Sequence, residues 1–224
     1  MTEDSKSNKG VIIGLIILLA AIVGIVALTQ ADPEPIQEAA SETSADEVEL
    51  VPLEVVDNTY NVDTVDSEVT WEGRKALGAH NGTLELSSGS LVVVDGEIVD
   101  GEIAFDLSTI TTVDDGSGND DVDTHLKSAD FFDVANNPEA TFVISEVKSL
   151  GGDQYQVTGD LTIRGTTETV VFPATITAND NQITANAVIE IDRATYEIGT
   201  DSKLADIALT DTFTLEVMLV TSSN

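Results

Sequence analysis

The sequence predicts an all-β fold, an up-and-down antiparallel β-barrel of about eight strands with a short helical insertion and one preceding transmembrane helix. After Tyr60, apolar residues alternate with polar ones through most of the chain, which is the period of strands with one dry face. Turn signals containing Gly, Asp or Asn separate these segments at short intervals. Closure into a barrel is favoured because it removes exposed strand edges.

An apolar segment comes before the predicted barrel. Residues 10–31 carry no charged side chain, and a helix over this range would span roughly 33 Å, enough for the hydrocarbon core of a bilayer. Lys6 and Lys9 precede it, so residues 1–9 are predicted to be cytoplasmic and the domain periplasmic or extracellular. The alternative is a cleaved signal peptide ending near residues 29–31, but the apolar region is longer than is usual for one.

Residues 32–57 are predicted to form an acidic, disordered linker. They contain nine acidic residues, three prolines and no basic residue, and they show no regular apolar period. Their mutual repulsion should extend the segment and hold the domain tens of Å from the membrane. The globular domain is then predicted to comprise residues 58–222.

The domain is strongly acidic. Of the 41 acidic and nine basic residues of the chain, two of each lie in residues 1–31 and nine acids in residues 32–57, which leaves 30 acids against seven bases and a net charge of −23. Such a surface repels phosphate backbones and anionic lipid headgroups, so neither nucleic acid nor a bilayer surface is a predicted partner of the domain. Adaptation to a salty exterior and ordinary acidic solubility both explain the charge.

The predicted strands follow one another along the whole domain. Alternation is seen in residues 103–107, 142–144, 157–163, 186–192 and 212–219. The predicted turns are at Asn81-Gly82, Asp95-Gly96, Asp100-Gly101, Gly151-Gly152-Asp153 and Asn179-Asp180-Asn181. Strands of this pattern pack one face on a core and expose the other.

Residues 108–138 interrupt the alternation. The segment after the acidic loop predicts a short helical turn, with Asp123 or Thr124 as its N-cap. Phe131 and Phe132 are predicted to plug the flank or roof of the barrel, or simply to fill its core. The insertion is therefore expected to cover part of the barrel.

Few residues suggest catalysis or a resident metal. The chain has no cysteine, which excludes disulfides and thiol chemistry, and its two histidines form no local zinc-ligand cluster. Neither histidine lies near a Gly-x-Ser-x-Gly nucleophile motif. Asn119, Asp121 and Asp123 alternate as calcium ligands would, but Thr124 stands where an EF-hand needs glycine, so a solvated loop is favoured. No catalytic residue and no metal site are predicted.

The interior of the predicted barrel is the better candidate site. Apolar residues from several strands would line a cavity suited to a hydrocarbon tail, whose burial yields about 0.8 kcal/mol per CH₂ group. These predicted lumen residues are Trp71, Phe105, Phe142, Leu161, Phe172, Ile189, Ile191, Phe213 and Leu215. The same residues would equally make a solid core, and the pattern alone favours that alternative.

Several motifs of the chain resemble those of the YceI-like family. The matching segments are 71–82, 123–134, 137–142, 159–165, 170–172 and 191–199, and the resemblance covers roughly Tyr60 to Val220. It implies an extended, lipocalin-like barrel that holds a polyisoprenoid chain, and so reverses the preference for a solid core. One branch of the family has arginine before the Asp of the His-Leu motif. Here that residue is Val122, so no role of that arginine is transferred.

Basic residues are scarce, and five lie in or beside these motifs. They are Lys75, His80, His125, Arg164 and Arg193. If these residues meet at one end of the barrel, they would bind a quinone carbonyl or a prenyl phosphate through charge-assisted hydrogen bonds. The alternative for each is pairing with an acidic residue, such as Arg193 with Asp123 or Asp192.

We therefore predict a membrane-anchored binding protein that is not an enzyme and that holds an isoprenoid-type lipid, a quinone or prenyl phosphate, in its barrel. No cofactor is predicted apart from this lipid, and the membrane is contacted through the N-terminal helix only. Two alternatives stay open at this point. One is a structural or stress-related barrel with a filled core, and the other is an unrecognised hydrolase.

Overall fold

The computed structural model describes residues 57–75, 78–114, 118–179, 181–200 and 209–223. These residues form one α-helix and nine strands: β1 (Asn58–Val62), β2 (Glu68–Lys75), β3 (Gly78–Val94), β4 (Glu97–Thr112), α1 (Asp120–Lys127), β5 (Glu139–Gly151), β6 (Gln154–Ile163), β7 (Thr166–Asn179), β8 (Gln182–Asp192) and β9 (Leu209–Ser223). The predicted membrane anchor and almost all of the predicted linker lie outside them. Within the described residues, no helix has the length and apolar character to cross a bilayer.

The strands form a closed antiparallel barrel with eight positions in its wall. Strands β2 to β9 pair in chain order, and β9 pairs with β2 to close the barrel. The short β1 continues the line of β2, since it pairs with residues 90–93 of β3 and with the last residues of β9. The predicted all-β, up-and-down barrel of eight strands with a short helix is therefore confirmed.

The alternating pattern explains which face of each strand lies inside. In β6, Tyr155, Val157 and Leu161 are buried, while Gln156 and Asp160 between them are exposed. Burial of each such side chain contributes about 1.5–3 kcal/mol, and the inward residues of all the strands form one continuous hydrophobic core. The sheet closes because this apolar face has no other surface to cover it.

The two ends of the barrel differ in their connections. The end that we call the helical end has the β2–β3, β4–β5, β6–β7 and β8–β9 connections, including α1. The opposite end, which we call the turn end, has the β3–β4, β5–β6 and β7–β8 connections. The chain enters the barrel there, because Asn58 pairs with Val93 beside the β3–β4 turn.

Two tight turns are built from residues with positive φ. Asp95 and Gly96 join β3 to β4 with φ of 53° and 76°, and Arg164 and Gly165 join β6 to β7 with φ of 52° and 75°. Positive φ at both central residues is the mark of a type I′ hairpin turn, which suits the twist of the strands. The first turn was predicted from the sequence and the second was not.

Two other predicted turns are wrong, because Asn81-Gly82 lies within β3 and Asp100-Gly101 within β4. At Gly82 a Cβ atom would overlap the Thr111 carbonyl group of β4. At Gly101 it would lie 2.8 Å from a methyl carbon of Leu91. Glycine is needed at both positions for close approach between neighbouring groups and not for a change of chain direction.

Helix α1 begins earlier than predicted. Its N-cap is Asn119, whose side-chain oxygen accepts a hydrogen bond from the Val122 amide, so the prediction of Asp123 or Thr124 as the cap is wrong. Asp123 instead lies in the first turn, where its charge is favourable near the helix N-terminus, and its carboxylate accepts a hydrogen bond from the Thr112 amide. This contact ties α1 to the end of β4.

Candidate functional site

The interior of the barrel contains a cavity of about 550 Å³ at the helical end. This volume is within the range of small-molecule binding sites. Its walls are mainly apolar side chains that point inward from the strands, among them Trp71, Leu84, Leu107 and Leu161. The indole Nε1 of Trp71 donates a 3.2 Å hydrogen bond to the Thr111 carbonyl oxygen, which holds the ring in the wall.

The mouth of this cavity is covered by α1 and the connections on either side of it. Phe131 and Phe132 are buried, belong to the hydrophobic core and also line the cavity, so both predicted alternatives, plug and core filling, agree with their positions. The Phe131 ring lies 4.6 Å from the ring of His125, and the Phe132 ring meets Phe213 edge-on at 6.2 Å. Ile198, from the β8–β9 connection, also lines the cavity.

Five of the nine predicted lumen residues line the large cavity: Trp71, Phe105, Leu161, Phe213 and Leu215. They come from β2, β4, β6 and β9, so they surround the cavity on several sides. The cavity shows that the inward residues do not fill the barrel completely at the helical end.

The other four predicted lumen residues lie deeper in the barrel or beside the cavity. Phe142, Phe172 and Ile189 line a second cavity of only about 70 Å³, in the half of the barrel nearer the turn end. Ile191 is buried on the same face of its strand but lines neither cavity. The turn-end half is therefore close to the solid core that the pattern alone favoured.

All five residues of the predicted polar end belong to the helical end of the barrel. Lys75 ends β2, His80 is near the start of β3, His125 is in α1, Arg164 is in the β6–β7 turn and Arg193 follows β8. The structure brings His80, His125 and Arg193 to the wall of the large cavity, whereas Arg164 does not line it. The side chain of Lys75 lies outside the described part of the structure.

Arg193 is the buried cation of this site. Only 9% of the residue is exposed. Its Nε donates a hydrogen bond to the Thr210 carbonyl oxygen and its Nη1 donates one to the Ile198 carbonyl oxygen, both at 3.0 Å. These bonds hold the start of β9 and the β8–β9 connection on the same guanidinium group.

The expected acidic partners of Arg193 are engaged elsewhere. The Asp123 carboxylate accepts from the Thr112 amide, and the Asp192 carboxylate accepts from the Ala194 amide at 2.9 Å. The alternative in which Arg193 pairs with one of them is therefore wrong, and no carboxylate forms an ion pair with Arg193 among the described residues. A buried guanidinium without a counter-charge favours a ligand that supplies electron-rich oxygen atoms.

The other polar groups at the mouth carry charges of both signs. The Nδ1 of His80 is hydrogen-bonded to the Asp114 carboxylate, which also accepts from the Asn81 amide. Arg74 lines the cavity but forms an exposed ion pair with Glu72, with 2.7 Å between Nε and Oε1. Asp121 of α1 adds a carboxylate, so the net positive charge around the mouth is small.

Arg164 has contacts that indicate a structural role. Its guanidinium donates hydrogen bonds to the carbonyl oxygen of Glu197 and, at 3.2 Å, to that of Ala129. It thereby joins the β6–β7 turn to two other connections at the helical end. Its predicted contact with a ligand headgroup stays a prediction.

Tyr196 is a second buried polar residue of the β8–β9 connection, although it does not line the cavity. Only 2% of it is exposed, and its hydroxyl group has no hydrogen-bond partner among the described residues. Burial, with a smaller contribution from the negative charge of Glu168, raises the pKa of Tyr196 to about 12 from the ordinary 10.0. The phenol is therefore held in its neutral form.

The described part of the acidic loop shows no metal centre. Asn119 caps α1 and Asp123 binds the Thr112 amide, so two of the three alternating calcium-ligand candidates already make other contacts. No group of three or more His, Cys, Asp or Glu side chains suited to a metal ion occurs in the residues that the structure describes.

Several cavity residues were missed by the sequence-based prediction. Leu107 and Ile163 lie two positions beyond Phe105 and Leu161 on the same strands, so the period-two pattern could have found them. Ile198 lies in a connection, where no periodic signal exists. Its position follows only from the path of the chain between β8 and β9.

Comparison with known proteins shows relatives among bacterial proteins. A UPF0312 protein of Pseudomonas putida (strain W619) is 46% identical over 74 residues, which is 33% of this chain and 37% of that protein. A UPF0312 protein of Azotobacter vinelandii is 33% identical over 119 residues, 49% of this chain and 59% of that protein. The chain thus matches less than two thirds of the length of each.

Solved structures extend the similarity to the whole barrel. BcnA of Burkholderia cenocepacia is 27% identical, with a TM-score of 0.62 over 71% of this chain and 98% of that one. A polyisoprenoid binding domain from Saccharophagus degradans has the same fold at 16% identity, with a TM-score of 0.59 over 74% of this chain and 98% of that one. The model of the YceI-like domain matches residues 60–221, and the chain therefore belongs to this family.

Proposed function

We propose that this protein binds an isoprenoid-type lipid, with the apolar chain in the large cavity and the polar head at the helical end. The observation that carries the proposal is the 550 Å³ cavity, which has apolar walls and a mouth lined by His80, His125 and Arg193. This division suits an amphiphile, because burial of the chain supplies affinity and a few polar groups set its orientation. The polyisoprenoid binding domain of Saccharophagus degradans, which shares the fold, is consistent with this proposal.

The contacts at the mouth favour a neutral head that offers carbonyl oxygens. Arg193 is buried, and among the described residues its guanidinium makes two hydrogen bonds, so its remaining N–H groups are available to an acceptor. The neighbouring Asp121, the ion pair of Arg74 and the apolar Val122 leave little positive charge for a phosphate dianion. A quinone head is therefore favoured over a prenyl phosphate, and the protein acts by binding and not by catalysis.

Binding can be followed through Trp71, the only tryptophan of the chain, because its side chain lines the cavity. The full-length protein in detergent would be titrated with decylubiquinone and, separately, with farnesyl phosphate. A saturable change in Trp71 fluorescence is expected for both, with tighter binding of the quinone. Tighter binding of the phosphate would reverse the headgroup assignment while preserving lipid binding.

A cavity-filling variant tests where the ligand lies. A Cβ atom on Gly73 would meet its nearest neighbour, Trp71, at 3.8 Å, so Gly73→Phe can direct its ring into the cavity. Val188→Phe is the matched control, because Val188 is 54% exposed. Gly73→Phe should lose binding and Val188→Phe should retain it, with circular dichroism showing that both fold. A folded Gly73→Phe variant with wild-type affinity would contradict the proposed site.

We also propose that residues 10–31 anchor the protein in the membrane, with the domain on the periplasmic or extracellular side. The support is the length of the uncharged segment and the position of Lys6 and Lys9 before it. Protease added to intact cells, or to spheroplasts where an outer membrane exists, should release a fragment that begins within residues 32–57. A soluble domain without residues 10–31 in untreated cells would instead establish signal cleavage.

A further inference from the structure

Strands β7 and β8 separate in the half of the barrel nearer the helical end. Their pairing extends from the β7–β8 connection as far as Ala174 and Ala187, and it goes no further among the described residues. Beyond this point β7 pairs with β6 and β8 pairs with β9. We refer to the two edges that face each other without pairing, residues 166–173 of β7 and 188–192 of β8, as the split.

Pro173 explains where the pairing ends. Successive residues of a strand direct their main-chain groups to opposite neighbours. The Ile176 amide donates to the carbonyl oxygen of Asp153, immediately before β6, so the odd-numbered residues of β7 direct their main-chain groups to β8. Residue 173 would be the next donor to β8, but proline has no N–H group and so cannot extend the pairing.

The split leaves main-chain groups that a further strand could bind. Thr169 and Val171 direct theirs into the split from β7. The Arg193 amide donates to Asp211 of β9, so the even-numbered residues of β8, including Glu190, direct theirs into the split from the other side. Within the described residues, none of these main-chain groups belongs to a strand pair across the split or to a turn or side-chain hydrogen bond. An unpaired edge of this kind is a template for an additional strand.

The split belongs to the outer surface of the barrel. The side chains of Val171 and Val188 point outward and are 56% and 54% exposed. Phe172 and Ile189, the next residue on each strand, are buried in the core. Neither β7 nor β8 lines the large cavity, so the split is separate from the proposed lipid site.

The strands around the split are acidic. Strands β6, β7, β8 and β9 contain no lysine or arginine, and their acidic residues are Asp160, Glu168, Glu190, Asp192, Asp211 and Glu216. Asp160 is paired with Thr169 and Glu216 with Val188, so both carboxylates lie next to the split. This charge disfavours the acidic residues 32–57, a second copy of the chain and an anionic bilayer as occupants, and it favours a cationic partner.

We infer that the split binds an extended segment of a partner protein in which basic and apolar residues alternate. The segment adds a strand to the free edge of β7 and forms main-chain hydrogen bonds with Thr169 and Val171. Its outward side chains lie beside Asp160 and Glu190, which favours basic residues, and its inward side chains face the core at Phe172, which favours apolar ones. This inference does not depend on lipid binding.

Amide hydrogen exchange tests whether the edge is free. It is measured by NMR on the full-length protein in a non-ionic detergent. The Thr169 and Val171 amides are expected to exchange at least a hundredfold faster than those of Val170 and Phe172, which are directed to β6. Equal protection of all four amides would show that the edge is already paired and would overturn the inference.

Peptide binding tests the chemistry of the partner. The probe is a fluorescein-labelled octapeptide of alternating lysine and valine, and its anisotropy is followed as the full-length protein is added in physiological salt. Saturable binding is expected, with slower exchange of the Val171 amide in the complex. An octapeptide of alternating lysine and proline keeps the charge but loses half of the main-chain donors, and it should bind at least tenfold more weakly. Failure of the lysine–valine peptide to bind, or equal binding of the two peptides, would overturn the inference.

Two variants at one position separate strand addition from attraction by charge. Val171→Pro removes an amide that is directed into the split and not to β6, whereas Val171→Ala keeps it. Val171→Pro should weaken binding of the lysine–valine peptide at least tenfold and Val171→Ala less than threefold, with circular dichroism showing that both fold. Equal affinities of the two variants would contradict the inference. Self-association of the unaltered protein that Val171→Pro abolishes would assign the split to a second copy and also overturn it.

Discussion

Arg193 combines a structural and a proposed ligand-binding role in one side chain. It holds the carbonyl groups of Thr210 and Ile198 and still lines the cavity mouth. The guanidinium group is planar and has several N–H donors, so one buried cation can bind separate partners. The single ammonium group of lysine lacks this geometry.

Arg193→Lys is expected to lower the free energy of unfolding by about 1–3 kcal/mol, because it leaves at least one buried carbonyl group without its donor. Urea unfolding of the full-length protein measures this change. The affinity for decylubiquinone, measured on the folded fraction, should fall as well. Arg164→Lys is the control, since Arg164 is only partly buried and does not line the cavity, and it should leave the affinity unchanged. Unchanged affinity in Arg193→Lys would restrict Arg193 to the structural role.

Tyr196 makes the stability of the domain sensitive to alkaline pH. Its pKa is about 12 in the folded protein and 10.0 ordinarily, so the unfolded chain loses the phenol proton first. The stability contributed by this group is therefore fully present below pH 10 and is lost as the pH rises towards 12. The loss arises because an ionised phenolate is poorly solvated at this buried position.

Tyr196→Phe is expected to be at least as stable as the wild type near neutral pH, because it removes a buried hydroxyl group without a hydrogen-bond partner among the described residues. It should also lose less stability than the wild type between pH 10 and pH 12. Urea unfolding across this pH range provides the measurement. Identical pH profiles for the two proteins would show that another group causes the alkaline loss.

At the scale of elements, local sequence signals and tertiary contacts contribute differently. The alternation in β6 and β9 predicts their inward faces, since burial depends directly on a period of two. Asn81-Gly82 has the composition of a turn, but its glycine permits the close approach of the Thr111 carbonyl group. Such an approach depends on a partner strand distant in sequence, so the dipeptide alone cannot predict it.

The features of the candidate site also divide into those that the local sequence predicts and those that depend on tertiary contacts. The apolar lining could be predicted because it follows the strands, whereas the meeting of the basic residues at one end was only a hypothesis, since the sequence does not show how the motifs are arranged in space. The hydrogen bonds of Arg193 could not be predicted, because its acceptors are main-chain carbonyl groups whose positions depend on the path of the β8–β9 connection. The size of the cavity likewise depends on packing and not on residue type.

The packing between β5 and β6 depends on the absence of a side chain at Gly159. A Cβ atom there would lie 2.5 Å from the Val143 carbonyl oxygen and against the Phe142 ring. Gly159→Ala should therefore lower the free energy of unfolding by about 1–3 kcal/mol, as overpacking does. Gly73→Ala, at a strand glycine with open space around it, should be nearly neutral. Equal effects in chemical denaturation would show that the Phe142 contact is not limiting.

At the scale of the whole molecule, charge is the dominant property. The chain has a formal net charge of −32, and five of the six lysines and arginines that the structure describes belong to the helical end of the barrel. Repulsion among the carboxylates opposes the compact state. At molar salt the Debye length shrinks to about 3 Å, which removes most of this repulsion.

We therefore expect the thermal unfolding midpoint to rise in molar sodium chloride, as adaptation to a salty exterior requires. Differential scanning fluorimetry of the full-length protein over a salt series would show the rise. Sucrose serves as the control, because it favours the compact state by exclusion without screening charge. A midpoint that does not change with salt would leave ordinary acidic solubility as the explanation for the charge.

The entry of the chain at Asn58 places the attachment point of the domain at the end opposite the cavity mouth. If residues 10–31 anchor the protein in the membrane, the domain must turn its other end towards the bilayer before a lipid can enter the cavity from there. Residues 32–57 reach at most roughly 86 Å, and the longest strand, β3 with 17 residues, measures roughly 56 Å. If residues 10–31 anchor the protein as proposed, a linker of this reach would permit inversion, and the proposed lipid would then be exchanged directly with the bilayer.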